Sequence, residues 1–473
     1  MSAISDFMTR PAQRARTADT SRAARGLFAA ILGDDSPVQV TFPDGSVLGS
    51  SSAAMRVIVH SNDAFAHMLR APGELGLARA YISGALDVEG DIGAAVALQT
   101  RLESTNLLSR HVLSLARALG TDLVRNPPSL PPEEIGATHR NPLSRHSKAR
   151  DAASISHHYD VSNDFYRLVL GPSMTYSCAV FGSDRDTLEQ AQQNKYELVC
   201  RKLALEPGMR LLDVGCGWGG MVMHAALHHG VKAVGVTISN HQYEFARAAV
   251  DAAGLADRVE IRLQDYRDIA DGPYDAISSI GMFEHVGLKQ LEVYFGRLQS
   301  LLCDEGRLLN HQIGRPPGNV RFGRERADLN PRGFVHRYVF PDGELLEVGD
   351  LTHAMQKLGF EVRHVESLRE HYERTLTFWG ANLDANWTRA AMLVSEGRAR
   401  VWKLYMAGSA VLFRSNELQV HQVLAVKVNT TTGRSAMPWR PGWDTELHRP
   451  GMRAEGAPVV IDLRDPTTTS RHP

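Results

Sequence analysis

The chain has 473 residues, of which 43% are hydrophobic and 22% charged, and its formal net charge is −1. That length allows two or more domains and a substantial core, while the near-neutral balance excludes the strongly basic footprint of a nucleic-acid binder. The four cysteines, Cys178, Cys200, Cys216 and Cys303, show no CxxC pairing, so neither a disulfide framework nor a zinc site is indicated and a reducing cytoplasm is expected.

From the amino end, Arg10, Arg14, Arg16, Arg22 and Arg25 stand against Asp6 and Asp19 and lead into GLFAAIL. This reads either as an interfacial basic helix or as a solvated terminus. No apolar leader-type segment and no run of about 18 uncharged apolar residues occurs, so a membrane substrate would have to be reached from the surface. VQVTFPDGSVLG alternates apolar and polar residues about Asp44-Gly45, a hairpin signal. From residue 61 to 117 the apolar spacing is helical, which predicts a small α+β front unit. NPPSLPPEEIG is a proline-rich connector, and Arg140, Arg145, Lys148 and Arg150 follow it as a basic run suited to a solvated face or to anionic headgroups.

After residue 150 strands and helices alternate. MRLLDV, KAVGVT, RVEIRL, YDAISSI and RLLNHQI are short apolar runs separated by helical segments, which predicts an α/β fold with a doubly wound, mostly parallel sheet. The expected boundaries are 1–125 for the front domain, 126–150 for the linker, 151–428 for the catalytic domain and 429–473 for a loose Thr-, Arg- and Pro-rich tail.

LLDVGCGWGG ends a strand at Asp213 and continues through Gly215, Gly217, Gly219 and Gly220 into a helix. Glycines at a helix amino terminus allow a tight turn and close backbone approach, which suits a dinucleotide or an adenosyl cofactor. The DxGxGxGG spelling, with its carboxylate on the strand, resembles the first motif of Rossmann-like class I methyltransferases that use S-adenosylmethionine (SAM). The second strand runs into GVTISNHQ without the usual acidic residue, so Thr237 and Gln242 would have to bond the ribose. In LQDYRD, Gln264 and Asp265 stand where an adenine amino group is commonly held.

HYDVSNDFY, MTYSCAVF, LDVGCGWGG, VGVTIS, QDYRD and GMFEHVG, in this order, resemble the cyclopropane fatty-acid synthases over residues 145 to 428. APGELGLARAYISGALDVEG resembles the small lipid-handling domain of their phospholipid-acting branch. RYVFPDGEL, LREHYERTL and LYMAGSAVLF also resemble the methylene transferases of tuberculostearic acid synthesis. The resemblance implies SAM as cofactor and a bound bicarbonate as general base, held by Cys178, Glu284, His311, Ile313 and Tyr372. It further implies that Tyr159 and Ser177 close over SAM. The partner implied is a phospholipid bilayer with unsaturated acyl chains, met at the inner face of the cell membrane by a peripheral protein, as a single chain or a homodimer.

The chemistry explains why such a set is needed. An alkene is a feeble nucleophile, so methyl transfer to it needs alignment and a dry site. Loss of a proton then closes a ring, and a weak, caged oxyanion takes that proton without trapping the cation. Retention of Cys178 with GMFEHVG favours a ring over a methylene branch. His157 and His158 lack further ligands at a recognisable interval, so no metal is expected. The Gly-, Pro- and Arg-rich stretch 315–333 matches no part of the synthase pattern and reads as a lid over headgroups or as a solvated loop. Two other classes fit parts of the sequence: a methyltransferase for a small soluble acceptor, and a noncatalytic lipid carrier with a vestigial SAM site.

Overall fold

Short apolar strands alternating with helices can bury both of their faces only when the helices cover a sheet on either side. The computed structural model describes residues 2–33, 37–94, 109–121, 125–135, 162–317, 333–341, 343–435 and 437–443, with side chains of the first helix from residue 17 onward. His157, His158, Tyr159, the basic run from Arg140 to Arg150, most of the 315–333 stretch and the tail beyond 443 lie outside the described residues.

Two units divide the chain. The first comprises Met1–Ala137 with the later segments Asn330–Pro341 and Val394–Val411, and the second comprises Thr138–Leu329, Asp342–Leu393 and Leu412–Pro473. In the first, strands β1 (Val38–Thr41), β2 (Val47–Leu48), β3 (Met55–Val59) and β4 (Leu86–Glu89) form a sheet of order β2-β1-β3-β4. The expected hairpin is β1 and β2, antiparallel, with Gly45 at φ 82°. Helices Asp63–Arg70, Glu74–Ile82 and Ser109–Leu119 stand in the stretch with helical spacing. β3 and β4 were not legible, since each is a short run beside a helix.

Two polar knots explain why the later segments belong to this unit. The Glu134 carboxylate is buried, and Arg79 donates to it at 2.7 and 2.6 Å while Tyr338 Oη donates at 3.0 Å. Arg400 pairs with Asp87 and with Glu396, and Leu404 and Ala407 pack on the apolar cluster around Phe42 and Phe65. Buried charges persist only when so partnered.

The second unit carries β5 (Arg210–Val214), β6 (Lys232–Thr237), β7 (Val259–Leu263), β8 (Tyr274–Ile280), β9 (Leu302–Gly314), β10 (Phe360–Ser367) and β11 (Gln419–Lys427). Their order is β10-β11-β9-β8-β5-β6-β7. The five expected strands are the parallel part; β11 adds antiparallel to β9, and β10 adds antiparallel to β11. Strand order reverses between β5 and β8, so the crevice at the carboxyl ends of these two strands is where such a sheet takes a ligand. β11 escaped the sequence reading because His421 and Gln422 sit inside it, both buried. After β11, Trp443 is 8% exposed and its ring meets His364 at 4.8 Å.

The helix Leu188–Leu203 forms one wall of the site. Its start is a capping box in which Thr187 Oγ1 accepts from Gln190 N at 3.2 Å and Gln190 Oε1 accepts from Thr187 N at 2.9 Å. Thr187→Ala is expected to cost about 1 kcal/mol, read as a lowered midpoint at unchanged slope in urea unfolding.

Candidate active site

At the end of β5 the chain turns through Gly215, Gly217 and Gly219 with φ of 79°, 55° and 87° and enters the helix Gly220–His229. The N–H groups of Gly215 and Cys216 both donate to Val236 O at 3.0 Å, which ties the turn to β6. A Cβ on Gly215 would lie 2.9 Å from Met282 Cβ. The turn opens into a pocket lined also by Ser177, Lys195, Asp213, Thr237, Gln242, Gln264 and Asp265.

Asp213 is buried, and its Oδ1 accepts from Ser278 Oγ at 2.6 Å. Burial pushes its carboxyl up to about 6, against the pull of Ser278 and Lys195. Thr237 Oγ1 donates to Gln242 Oε1 at 2.8 Å and accepts from Ser239 N at 3.2 Å, so the two side chains are held against each other at the pocket. Gln264 Nε2 donates to Asp268 O at 3.0 Å. Asp265 reaches the pocket already engaged: its carboxylate accepts from Arg267 N, Nε and Nη2 at 2.9, 2.8 and 2.6 Å. It caps the short turn Tyr266–Asp268.

Two pocket residues were missed from sequence. Lys195 is 1% exposed and donates to Ser177 Oγ at 3.0 Å. Burial pushes its ammonium down to about 7, against Asp213 and Cys178, which favour the charged form. Trp218 is buried, donates from Nε1 to Asn163 Oδ1 at 2.9 Å and packs on Tyr166. The signal for Lys195 lies in EQAQQNKYELV, where Gln192, Lys195, Tyr196 and Val199 share one helix face and all are buried. Polar residues on a core-facing stripe are rarely idle.

A second set of groups adjoins this pocket. Glu284, in the short turn Phe283–His285, accepts from Ile313 N at 2.6 Å through Oε1. Among the described residues its buried Oε2 has no partner, and neither has His311 Nε2. Burial pushes the Glu284 carboxyl up to about 7, opposed by the Ile313 N–H. Lys202 Nζ donates to Gln422 Oε1 at 2.8 Å, which turns the Gln422 amide N–H toward His311 Nδ1 at 3.2 Å. Nδ1 is therefore the acceptor, and Nε2 carries the proton. Burial, with Lys195 and Lys202 nearby, pushes His311 down to about 3, so its ring stays neutral.

The remaining members reach this place through the backbone. Cys178 Sγ donates toward Ala179 O at 3.2 Å and Leu368 O at 3.6 Å, and burial drives its thiol far above the ordinary range. Tyr372 N donates to the same Leu368 O at 3.1 Å, while Leu368 N donates to Val420 O at 2.9 Å. Val420 is the ladder partner of Ile313. Tyr372 is buried with its ring 4.8 Å from Phe413. Gly281 N donates to His311 O at 2.9 Å, and Gly281 and Ser177 both line the glycine-loop pocket. Backbone hydrogen bonds and strand pairing thus link the segments that carry Cys178, Glu284, His311, Ile313 and Tyr372, and Ser177 and Gly281 of those segments line the glycine-loop pocket. The Ile313 N–H is occupied by Glu284 and holds that carboxylate.

Residues 146–423 match the family model of mycolic acid cyclopropane synthetases. The chain belongs to that family. It is a SAM-dependent methyltransferase. A probable fatty acid methyltransferase of Mycobacterium tuberculosis is 45% identical over 86% of this chain and 95% of its own length. The cyclopropane-fatty-acyl-phospholipid synthase of Escherichia coli K12 is 34% identical over 80% of this chain and 89% of its own. Among solved structures, the mycolic acid cyclopropane synthase CmaA1 complexed with SAH and CTAB superposes with a TM-score of 0.55 at 36% identity, covering 58% of this chain and 98% of that one.

Proposed function

We propose that this synthetase-family enzyme transfers a one-carbon unit from SAM to the cis double bond of unsaturated acyl chains in membrane phospholipids and closes a cyclopropane ring. The observation that carries the reading is the adjacency of the glycine-loop pocket to a buried set with two unpartnered polar atoms, Glu284 Oε2 and His311 Nε2. These atoms fit a small oxyanion with one hydroxyl: the Nε2–H donates and the carboxylate oxygen accepts.

Bound SAM supplies an electrophilic methyl, and a bicarbonate in the Glu284–His311 place supplies a weak base for the proton lost on ring closure. The chain does the rest. The glycine turn and Asp213 position the methionine end, Thr237 and Gln242 take the ribose, and Ser177, fixed by Lys195, lines the side toward Cys178. Cys178 stays a protonated donor, since burial suppresses its thiolate and with it a competing nucleophile. Tyr372, Trp379 and Phe413 pack together and keep water from the cation. A second reading has a specific support: relatives at 45% and 38% identity carry the name fatty acid methyltransferase, which suits a methylene or methyl branch on the same double bond.

Among the described residues no helix is long and apolar enough to cross a membrane. We infer peripheral attachment to the inner face of the cell membrane, with the front unit handling lipid. SAM consumption should require vesicles of monounsaturated phospholipid and stop with saturated ones; equal consumption with a small soluble acceptor and no lipid would reject the reading. Binding to anionic vesicles should weaken severalfold as salt rises from about 0.05 to about 0.5 M, because screening shortens the reach of basic side chains. Sedimentation with vesicles reads this, and salt-independent binding would count against it.

A further inference from the structure

We propose that Cys200, His224 and His229, with Glu197 as fourth donor, form a zinc-type divalent metal site that staples the helix Leu188–Leu203 to the helix Gly220–His229. One ligand atom from each of Cys200, His224 and His229 lies within 4.8 Å of the others. Glu197 Oε2 is 3.0 Å from His229 Nε2 and 3.5 Å from His224 Nε2. Ligand atoms around a tetrahedral zinc stand roughly 3.3–3.8 Å apart, given bonds of about 2.0–2.3 Å. The cluster therefore needs a contraction of at most about an ångström among the thiol and the imidazoles and almost none between the carboxylate and the imidazoles.

The surroundings are those of a ligand set. His224 Nδ1 lies 3.0 Å from Gln193 Oε1, which receives its proton and leaves Nε2 toward the cluster. Glu197 Oε1 accepts from Arg201 Nε at 2.7 Å, so Oε2 is the oxygen turned to the histidines. Gln193, Glu197 and Cys200 share one helix face at spacings of four and three, and His224 and His229 project from the facing helix. Cys200 and His224 are buried and His229 is half-buried, which gives an entry path from solvent. Two anionic donors, thiolate and carboxylate, neutralise a divalent cation in a buried place. Soft sulfur with imidazole selects zinc-type metals over magnesium or calcium. No zinc pattern shows in the sequence because the ligands come as ExxC and HxxxxH on two helices separated by the cofactor turn.

The site stands behind the pocket and outside its chemistry. His224 packs on Tyr196 with centroids 5.6 Å apart, and Tyr196 lines the glycine-loop pocket. A bound metal would fix the spacing of the two helices there.

The test uses the full chain, stripped with chelator and titrated with cobalt(II). The expected result is about one equivalent bound, strong visible bands of tetrahedral cobalt, a thiolate charge-transfer band in the near ultraviolet, and a raised melting temperature on zinc addition. Cys200→Ser should lose the charge-transfer band and His229→Gln should weaken binding at least tenfold, while Cys303→Ser keeps both properties. No binding by the unaltered protein, or a charge-transfer band that survives in Cys200→Ser, would overturn the proposal. Should a variant not fold, the wild-type spectrum decides, since cobalt bound without a thiolate band is equally fatal.

Discussion

Glu284→Gln is expected to lower kcat by about 10²–10⁴-fold while leaving SAM affinity within about threefold. The substitution keeps the shape that accepts the Ile313 N–H at 2.6 Å. It removes the charge at the one position where a buried carboxylate oxygen, Oε2, has no hydrogen-bond partner among the described residues. SAM meets other residues, so calorimetric titration should show nearly normal binding heat. A pH dependence should accompany the loss. The carboxyl is pushed up to about 7 by burial, and its ionised form is the one that can accept a proton donor. Wild-type kcat/KM at fixed bicarbonate should therefore climb as pH rises through about 7, and the Gln variant should lack that limb. Stability follows the opposite sign: native Glu284 retains its proton where the unfolded chain has released it, so this group's contribution falls as pH rises from about 4.5 to about 7. His311→Ala should lower kcat similarly. The ring is neutral at every working pH because burial holds it near 3, so its loss should change the height of the profile and leave the pH at which it turns unmoved.

Gly215→Val should abolish SAM binding, with no heat on titration, and lower the melting temperature. Two independent costs meet at this position. A φ of 79° is strained for a β-branched residue, at about 1–3 kcal/mol. The new Cβ would also lie 2.9 Å from Met282 Cβ, so the turn or the segment after β8 must move. That segment carries Glu284 two residues later, so the substitution should disturb both halves of the site at once. Gly217→Ala is the control: a Cβ there meets nothing within 4 Å, and only its φ of 55° opposes the change. A smaller loss of affinity is expected from it than from Gly215→Val.

The parallel strands and the cofactor turn were legible because apolar runs and glycines obey local rules. β5 through β8 begin and end near the runs that predict them, β9 ends near its run but begins five residues earlier at Leu302, and Gly215, Gly217 and Gly219 all take positive φ. The set proposed to hold the base was legible only through resemblance, since Cys178, Glu284, His311 and Tyr372 are far apart in the chain and their segments are linked through β9, β11 and Leu368. What stayed hidden has a common physical cause: polar side chains on buried faces. Gln422 looks like a loop residue yet sets the His311 tautomer from the middle of β11. Lys195 looks like a solvated helix residue yet is 1% exposed beside Ser177. Asp265 looked available, and only the structure shows that Arg267 already holds it.

The most direct test of the central claim follows the transferred carbon. The enzyme is incubated with SAM carrying a ¹³C methyl and with vesicles of monounsaturated phospholipid, and the extracted acyl chains are examined by proton and carbon resonance. The label is expected in a cyclopropane methylene on the former double bond, with both of its protons shifted upfield. Label in a water-soluble acceptor, or none in lipid under conditions where SAM binds, would contradict it.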